Sequence, residues 1–445
     1  MTNATEAAGS KPLQTLSVLA GASFIIGIVV GIGIFRTPSL VASGVGSETL
    51  FIAAWITGGI VMLVGAFCYA ELGSAHPDAG GEYHFLTRAY GRPIGVLFAW
   101  ARGTVIQTGA IAAVAFVYAD YASNIIPLGT YSSAIHAVIG VVAVTALNLI
   151  GTPQSARAQI VLTLLTIAAL VAVILAGLST TGTASPPVNP GSQWGTFGLA
   201  MVFVLLTYGG WNEAAYLSGE LKDVRRNMAR TLLLGAAVIA TLYVLANLAY
   251  LNVFGLEGLR KSSTVGADLM RVAVGDASAI VFSFIVCICA LSTLNATIFT
   301  GARAYYALGR DVPAIQKLGI WEQRGDKPAN ALLLQCAIAL ALLAFGSTTR
   351  DGFEAMVAYT APVFWFFLLL IAISVFLFRN RGVELPYRMP LYPLPMVLFA
   401  AAAVWMIYSS IVYAGVGSLV GVAVLIAGLP LLLLARGEHA PSAAG

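Results

Sequence analysis

A helix needs about 20 apolar residues to cross the hydrocarbon core of a bilayer. This chain of 445 residues supplies such stretches one after another. Charged residues make up 9% of it and hydrophobic residues 59%, whereas soluble proteins carry about 25% charged residues. No water-facing surface can be assembled from so few charges. The composition therefore excludes a soluble domain and implies an all-α integral membrane protein. Twelve spans are expected, at roughly 17–43, 49–73, 93–124, 132–150, 157–178, 195–220, 230–254, 275–308, 331–347, 354–378, 391–413 and 416–435. The polar start, 1–15, lacks the basic segment and cleavage site of a signal peptide and reads as a short tail.

Lysine and arginine set the orientation. With the N-terminus inside, 17 of the 23 basic residues fall in inside segments or at the inner ends of spans, 4 outside (Arg260, Lys261, Arg271, Arg350) and 2 deeper within spans (Arg36, Arg102). Both termini are expected in the cytoplasm. The same asymmetry accounts for the net charge of +4 without nucleic acid as a partner. Cys68, Cys287, Cys289 and Cys336 lie in apolar spans with neither metal spacing nor a disulfide framework. The four histidines, His76, His84, His136 and His439, are scattered and suggest no metal site, which speaks against an enzyme. No GxxxxGK[ST] phosphate loop occurs, so nothing points to an ATP-driven pump.

Two spans carry glycine-bearing breaks at mid-depth: Gly31-Ile32-Gly33-Ile34-Phe35 and Tyr208-Gly209-Gly210-Trp211-Asn212. Open backbone inside a membrane is tolerated only where it lines a cavity or is buried in protein. Paired breaks in corresponding positions of two halves point to a transporter's binding site. The Pro- and Gly-rich outer segment 179–194 separates five spans from the next five, and an odd number per half inverts the second half. The expected organisation is a cytoplasmic tail (1–15), a first five-helix repeat (16–178), an extracellular linker (179–194), a second inverted repeat (195–378), a cytoplasmic loop with two further helices (379–435) and a tail (436–445).

Further motifs accompany the breaks. Tyr69-Ala70-Glu71-Leu72-Gly73 continues to Pro77 and Gly80-Gly81-Glu82-Tyr83. Gly219-Glu220-Leu221-Lys222-Asp223 precedes Arg226-Asn227, and Asn295 precedes Phe299-Thr300 and Arg303. In sequence and spacing these resemble the amino acid–polyamine–organocation superfamily, and most closely its L-type amino acid transporter branch. The resemblance covers about 17–435. It implies the leucine-transporter-type fold, with five-plus-five inverted repeats, discontinuous helices 1 and 6, and two extra helices. It further implies a secondary transporter of amino acids, neutral L-amino acids first, working by alternating access as exchanger or uniporter.

An amino acid brings a carboxylate and an ammonium into a low-dielectric site, where an unpaired charge is costly. Freed N–H groups of Gly31, Ile32 and Gly33, at the start of a half-helix, suit the carboxylate. By resemblance, carbonyls of Val29, Leu206, Thr207 and Gly209 are candidates for the ammonium. Leu206, Trp211, Asn212 and Gln107 are candidates for the pocket walls. Packing is the competing role for the glycines and for Trp211, and a gate or loop role is expected for Glu71 and Glu82. The chain departs from the family's usual pattern at Ile32, where a small hydroxyl residue is usual, and at Leu206, where an aromatic gate is usual. A third departure is Thr166, where many sodium-independent members have a lysine.

With that lysine missing, carbonyls of Gly27 and Val30 and hydroxyls of Ser292 and Thr293 are a candidate oxygen cage for Na+. The competing role for the two hydroxyls is bonding to their own helix. The alternative function is thus a sodium- or proton-coupled symporter on the same fold. A cationic amino acid or polyamine transporter using Glu213 is a further one. Arg36 and Glu213 each follow a break, and they are expected to pair with each other, to contact substrate or to carry a proton. Arg102 and Asp120 are expected to snorkel or to face polar neighbours. Animal members of the branch can be disulfide-linked to a partner through the loop after span three, but 121–131 holds no cysteine. The expectation is a monomer or loose oligomer in a prokaryotic inner membrane, with the bilayer and an amino acid as its partners and no cofactor beyond a coupling ion.

Overall fold

A computed structural model of the chain describes residues 16–78, 81–150, 156–181, 194–218, 221–322, 327–349, 351–413 and 415–435. The expected tails and most of the expected linker lie outside the described residues. Every long element is a helix. In chain order they are α1 (Val18–Val29), α2 (Thr37–Ser43), α3 (Glu48–Ala75), α4 (Gly81–Tyr90), α5 (Arg92–Ala101) and α6 (Thr108–Ile125). Then come α7 (Ser132–Ile150), α8 (Ala156–Ser179), α9 (Trp194–Thr207), α10 (Ala214–Leu217), α11 (Val224–Arg260) and α12 (Val265–Ala273). The last six are α13 (Asp276–Asp311), α14 (Ala329–Ser347), α15 (Gly352–Asn380), α16 (Leu394–Tyr413), α17 (Val416–Ala427) and α18 (Pro430–Ala435).

Among the described residues, 8 helical stretches are long and apolar enough to cross a membrane, and Val18–Val29, Thr163–Ser179 and Val416–Leu432 are shorter apolar helices. The chain is a multi-span integral membrane protein with discontinuous helices. Leu19, Ile139, Leu175, Val404 and Leu419 are each more than half exposed. In water that surface would invite aggregation, whereas against lipid it costs nothing.

Side chains start the helices where backbone donors need partners. Ser47 accepts from the Leu50 N–H at 3.2 Å to open α3, and Asp351 accepts from the Glu354 N–H at 3.0 Å to open α15. Small residues then let helices approach closely. A Cβ added at Gly58 would lie 2.4 Å from Val204, and one at Gly65 would lie 2.6 Å from Trp211. These glycines clamp α3 against the sixth-span region.

α5 and α6 form one continuous rod through a π-helical turn over Arg102–Gln107. A wide turn frees carbonyls from the regular ladder, and inside a membrane each needs a donor. Tyr305 from α13 donates to Gly103 O, and Tyr359 from α15 donates to Thr104 O, each at 2.8 Å. Two tyrosines thus stabilise the irregular turn that carries Arg102 and Gln107.

Candidate functional site

Both expected breaks are present. α1 stops at Val29; Gly31 is extended at φ −101° and ψ −163°, and a 3-10 turn over Ile32–Phe35 leads to α2. α9 stops at Thr207, Gly210 takes a left-handed φ of 100°, and a 3-10 turn over Trp211–Glu213 leads to α10. The breaks face each other. Thr37 and Thr207 share a hydroxyl bond of 2.7 Å, and a Cβ at Gly33 would meet the Thr207 side chain at 3.4 Å. Gly31, Gly33, Leu206, Gly209 and Gly210 are only partly buried in an otherwise closed interior. A Cβ at Gly31 would meet nothing nearer than Val29 O, at 3.8 Å. Unlike Gly58, then, Gly31 is not there to let two helices touch.

Main-chain groups are left open around that space. Among the described residues the N–H groups of Ile32 and Gly33 find no acceptor, and the carbonyls of Thr207 and Gly209 receive no donor. Leu206 O already accepts from Gly209 N–H at 2.8 Å. Val29 O accepts from both Gly31 N–H and the Tyr243 hydroxyl, each at 2.6 Å. Its two lone pairs are in use, a point that sequence reasoning missed because Tyr243 is remote in the chain.

A charge network flanks each side of the breaks. Arg36, only 6% exposed, donates to Asp351 and to Ser39 Oγ (3.1 Å), and its Nε lies 3.4 Å from Asp120. Arg102 grips Glu213 with bonds of 2.9 and 3.0 Å and reaches Glu82 at 3.3 Å. Tyr69 and Asn212 (3.1 Å) also donate to Glu82. Asp120 lies 18 residues beyond Arg102 on the α5–α6 rod, about 27 Å along its axis. The expected pairing of Arg36 with Glu213 is therefore wrong. Each residue follows a break, but Arg36 meets Asp120 near one end of the α5–α6 rod and Glu213 meets Arg102 at its π-helical turn, so the two charges end on opposite flanks. Arg102 and Asp120, expected to snorkel or meet polar neighbours, are core members of the two networks.

A family model for amino acid permeases matches residues 16–433, nearly the whole apolar body. The chain belongs to this amino acid permease family. It is 28% identical over 405 residues to human b(0,+)-type amino acid transporter 1, covering 87% of this chain and 81% of that protein. With the serine/threonine exchanger SteT of Bacillus subtilis it shares 24% over 437 residues, 96% of this chain and 97% of the relative. With mouse Asc-type amino acid transporter 1 it shares 25% over 440 residues, covering 95% and 81%. The permease is a secondary transporter that carries amino acids across a membrane.

Three expected wall residues of the permease are engaged elsewhere. Gln107 donates both amide protons to α13, at Thr297 O (3.1 Å) and Thr300 Oγ1 (2.9 Å). Asn212 accepts from Gly210 N–H at 3.3 Å and bonds Glu82. Trp211 is buried edge-on against Tyr69, with ring centroids 4.8 Å apart, and against Phe399.

The candidate cation residues lie at the end of α1 and on α13, two helices that both pack against α8. A Cβ at Gly27 would lie 2.5 Å from Thr163 of α8, and Thr166 bonds Cys289 of α13. Among the described residues the carbonyls of Gly27 and Val30 receive no donor. Thr293 donates to Cys289 O of its own helix at 3.1 Å, and Ser292 is partly buried. Among the described residues no three His, Cys, Asp or Glu side chains gather as a metal centre.

Near the end of α3, Glu71 is fully buried and held by Arg379 at 2.6 and 2.7 Å and by Met389 N–H at 2.7 Å. His76, which ends α3, lies 2.8 Å from Arg88 and packs on Phe378. Burial, aided by Arg88 and His84, lowers its pKa to about 4. Glu71 and His76 tie the α3–α4 corner to the end of α15.

Proposed function

We propose that this permease belongs to the L-type branch of its superfamily and moves neutral L-amino acids by alternating access, as an exchanger or uniporter. The observation that carries the reading is the pair of apposed breaks, with unpartnered N–H donors on one and unpartnered carbonyls on the other. In it, Gly31, Ile32 and Gly33 receive the substrate carboxylate, with Ile32 and Gly33 supplying the donors. Thr207 and Gly209 receive the ammonium from the other side. Leu206 and Ile32 line the side-chain space, while Gln107, Trp211 and Asn212 hold the walls in place from behind. Val29 acts through Tyr243 rather than on the substrate directly. The name of SteT supports exchange of small polar amino acids. The engagement of Glu213 by Arg102 speaks against a free counter-charge for cationic substrates. Arg36 and Glu213 serve in this reading as the flanking closures of the site.

The reading carries twelve spans in a five-plus-five inverted repeat followed by two helices, with both termini cytoplasmic in a prokaryotic inner membrane. Purified protein in liposomes tests it. Uptake of labelled serine, threonine and leucine that depends on preloaded unlabelled amino acid marks exchange, and uptake into empty vesicles marks net transport. Uptake of cationic substrates alone would overturn the reading.

Sodium coupling is the second reading, favoured by the open carbonyls of Gly27 and Val30 and by Thr166 standing where a lysine is usual. Ser292 and Thr293 would complete the cage. Unchanged uptake on replacing sodium with choline would dispose of it.

A further inference from the structure

We propose that the cleft between the start of α11 and the segment joining α15 to α16 binds the phosphate of an anionic glycerophospholipid. The cleft encloses about 510 Å³. Arg225, Arg226 and Arg230 stand on one side and Pro386 and Tyr387 on the other, over Leu233. Among the described residues, Arg226 and Arg230 have no carboxylate within 4.0 Å; Arg225 lies 4.0 Å from Glu384, both largely exposed. Three guanidiniums around one cavity, with a single weak carboxylate contact, are an uncompensated anion-binding surface.

The helix register identifies the anion as a lipid headgroup rather than a free phosphate. Arg226, Arg230, Leu234, Ala237 and Thr241 are all exposed and follow one another at intervals of three or four residues, on one face of α11. The two arginines thus crown a lipid-facing stripe. A phosphate held between them leaves its acyl chains lying along Leu234, Ala237 and Thr241. Arginines at a membrane boundary often meet headgroups without forming a site. Here the opposite wall is fixed. Met389, two residues beyond Tyr387, donates its N–H to the buried Glu71, which Arg379 also grips. A shaped cleft with one rigid wall selects a headgroup where a loose basic tail does not.

The test titrates the purified full-length permease in detergent with dioctanoyl phosphatidylglycerol, and with dioctanoyl phosphatidylcholine as control, read by native mass spectrometry. Wild type is expected to retain phosphatidylglycerol saturably and phosphatidylcholine weakly. Arg226→Gln/Arg230→Gln is expected to weaken phosphatidylglycerol at least tenfold. Arg388→Gln, which removes an exposed charge nearby but outside the cleft, should change it less than twofold. Should the double variant aggregate, Arg230→Gln alone should still weaken retention severalfold. Glycerol 3-phosphate in hundredfold excess should not displace the lipid. Equal retention by wild type and the double variant, or an equal loss in Arg388→Gln, would overturn the proposal. So would equal affinity for phosphatidylcholine, or displacement by glycerol 3-phosphate, which marks a small-anion site.

Discussion

Replacing Gly31 with alanine tests whether this glycine admits substrate, as proposed, or admits a helix, as Gly58 does. Its backbone angles, φ −101° and ψ −163°, are open to any L-residue, and the new methyl would meet nothing nearer than 3.8 Å. Stability should therefore change by no more than about 1 kcal/mol. The methyl nevertheless projects into the space beside the Ile32 and Gly33 donors. Displacing a carboxylate from one hydrogen bond to a charged group removes about 1.5–3 kcal/mol, which is roughly 10- to 150-fold in Kd. Gly58→Ala is the counter-case. Its methyl would lie 2.4 Å from Val204 and 2.9 Å from Tyr208, and such overpacking between α3 and the end of α9 costs about 1–3 kcal/mol. Substrate affinity of purified protein by scintillation proximity, alongside Tm from tryptophan fluorescence, reads both effects. Gly31→Ala that binds as tightly as wild type, or that melts as low as Gly58→Ala, would refute the reasoning.

Arg102→Met leaves Glu82 and Glu213 without their counter-charge, and losing one partner of a buried pair costs about 3–5 kcal/mol; Tm should fall sharply and recover in part in Arg102→Met/Glu82→Gln. Arg36→Met leaves Asp120 and Asp351 facing each other, so that flank should open. On a background without the native cysteines, labelling of Leu206→Cys by an impermeant thiol reagent should rise about tenfold for each 1.4 kcal/mol by which closure weakens, and unchanged labelling would deny Arg36 a closing role. His76 has a folded-state pKa of about 4, below its ordinary value near 6.5. It therefore contributes stability above pH 6.5 that is lost as pH falls towards 4, at most about 3 kcal/mol; Tm should drop across that window in wild type and drop less in His76→Gln.

The breaks were legible in the sequence because their glycines come in runs, Gly31-Ile32-Gly33-Ile34-Phe35 and Tyr208-Gly209-Gly210-Trp211-Asn212, accompanied by further motifs at matching spacing, and the spans were legible because charge is so scarce. Partnerships across the fold were not. Arg36 and Glu213 looked alike when counted from their breaks, yet one meets Asp351 and the other Arg102. The Val29 carbonyl looked free until Tyr243 came to it from 214 residues away. Gln107, named as a wall candidate, sits in a π-helical turn and gives its amide protons to α13, a partnership that its place in the span does not announce. Each miss concerns a polar group whose partner lies far off in sequence, where periodicity carries no information.

The open amides at Ile32 and Gly33 belong to the peptide unit, not to any side chain. Nineteen of the twenty residue types would present the same donor at those two places, so ordinary point substitution cannot erase it and only proline can. If these amides take the carboxylate as proposed, lineages of such a protein are free to drift in what they accept while keeping the hold on what all their cargoes share.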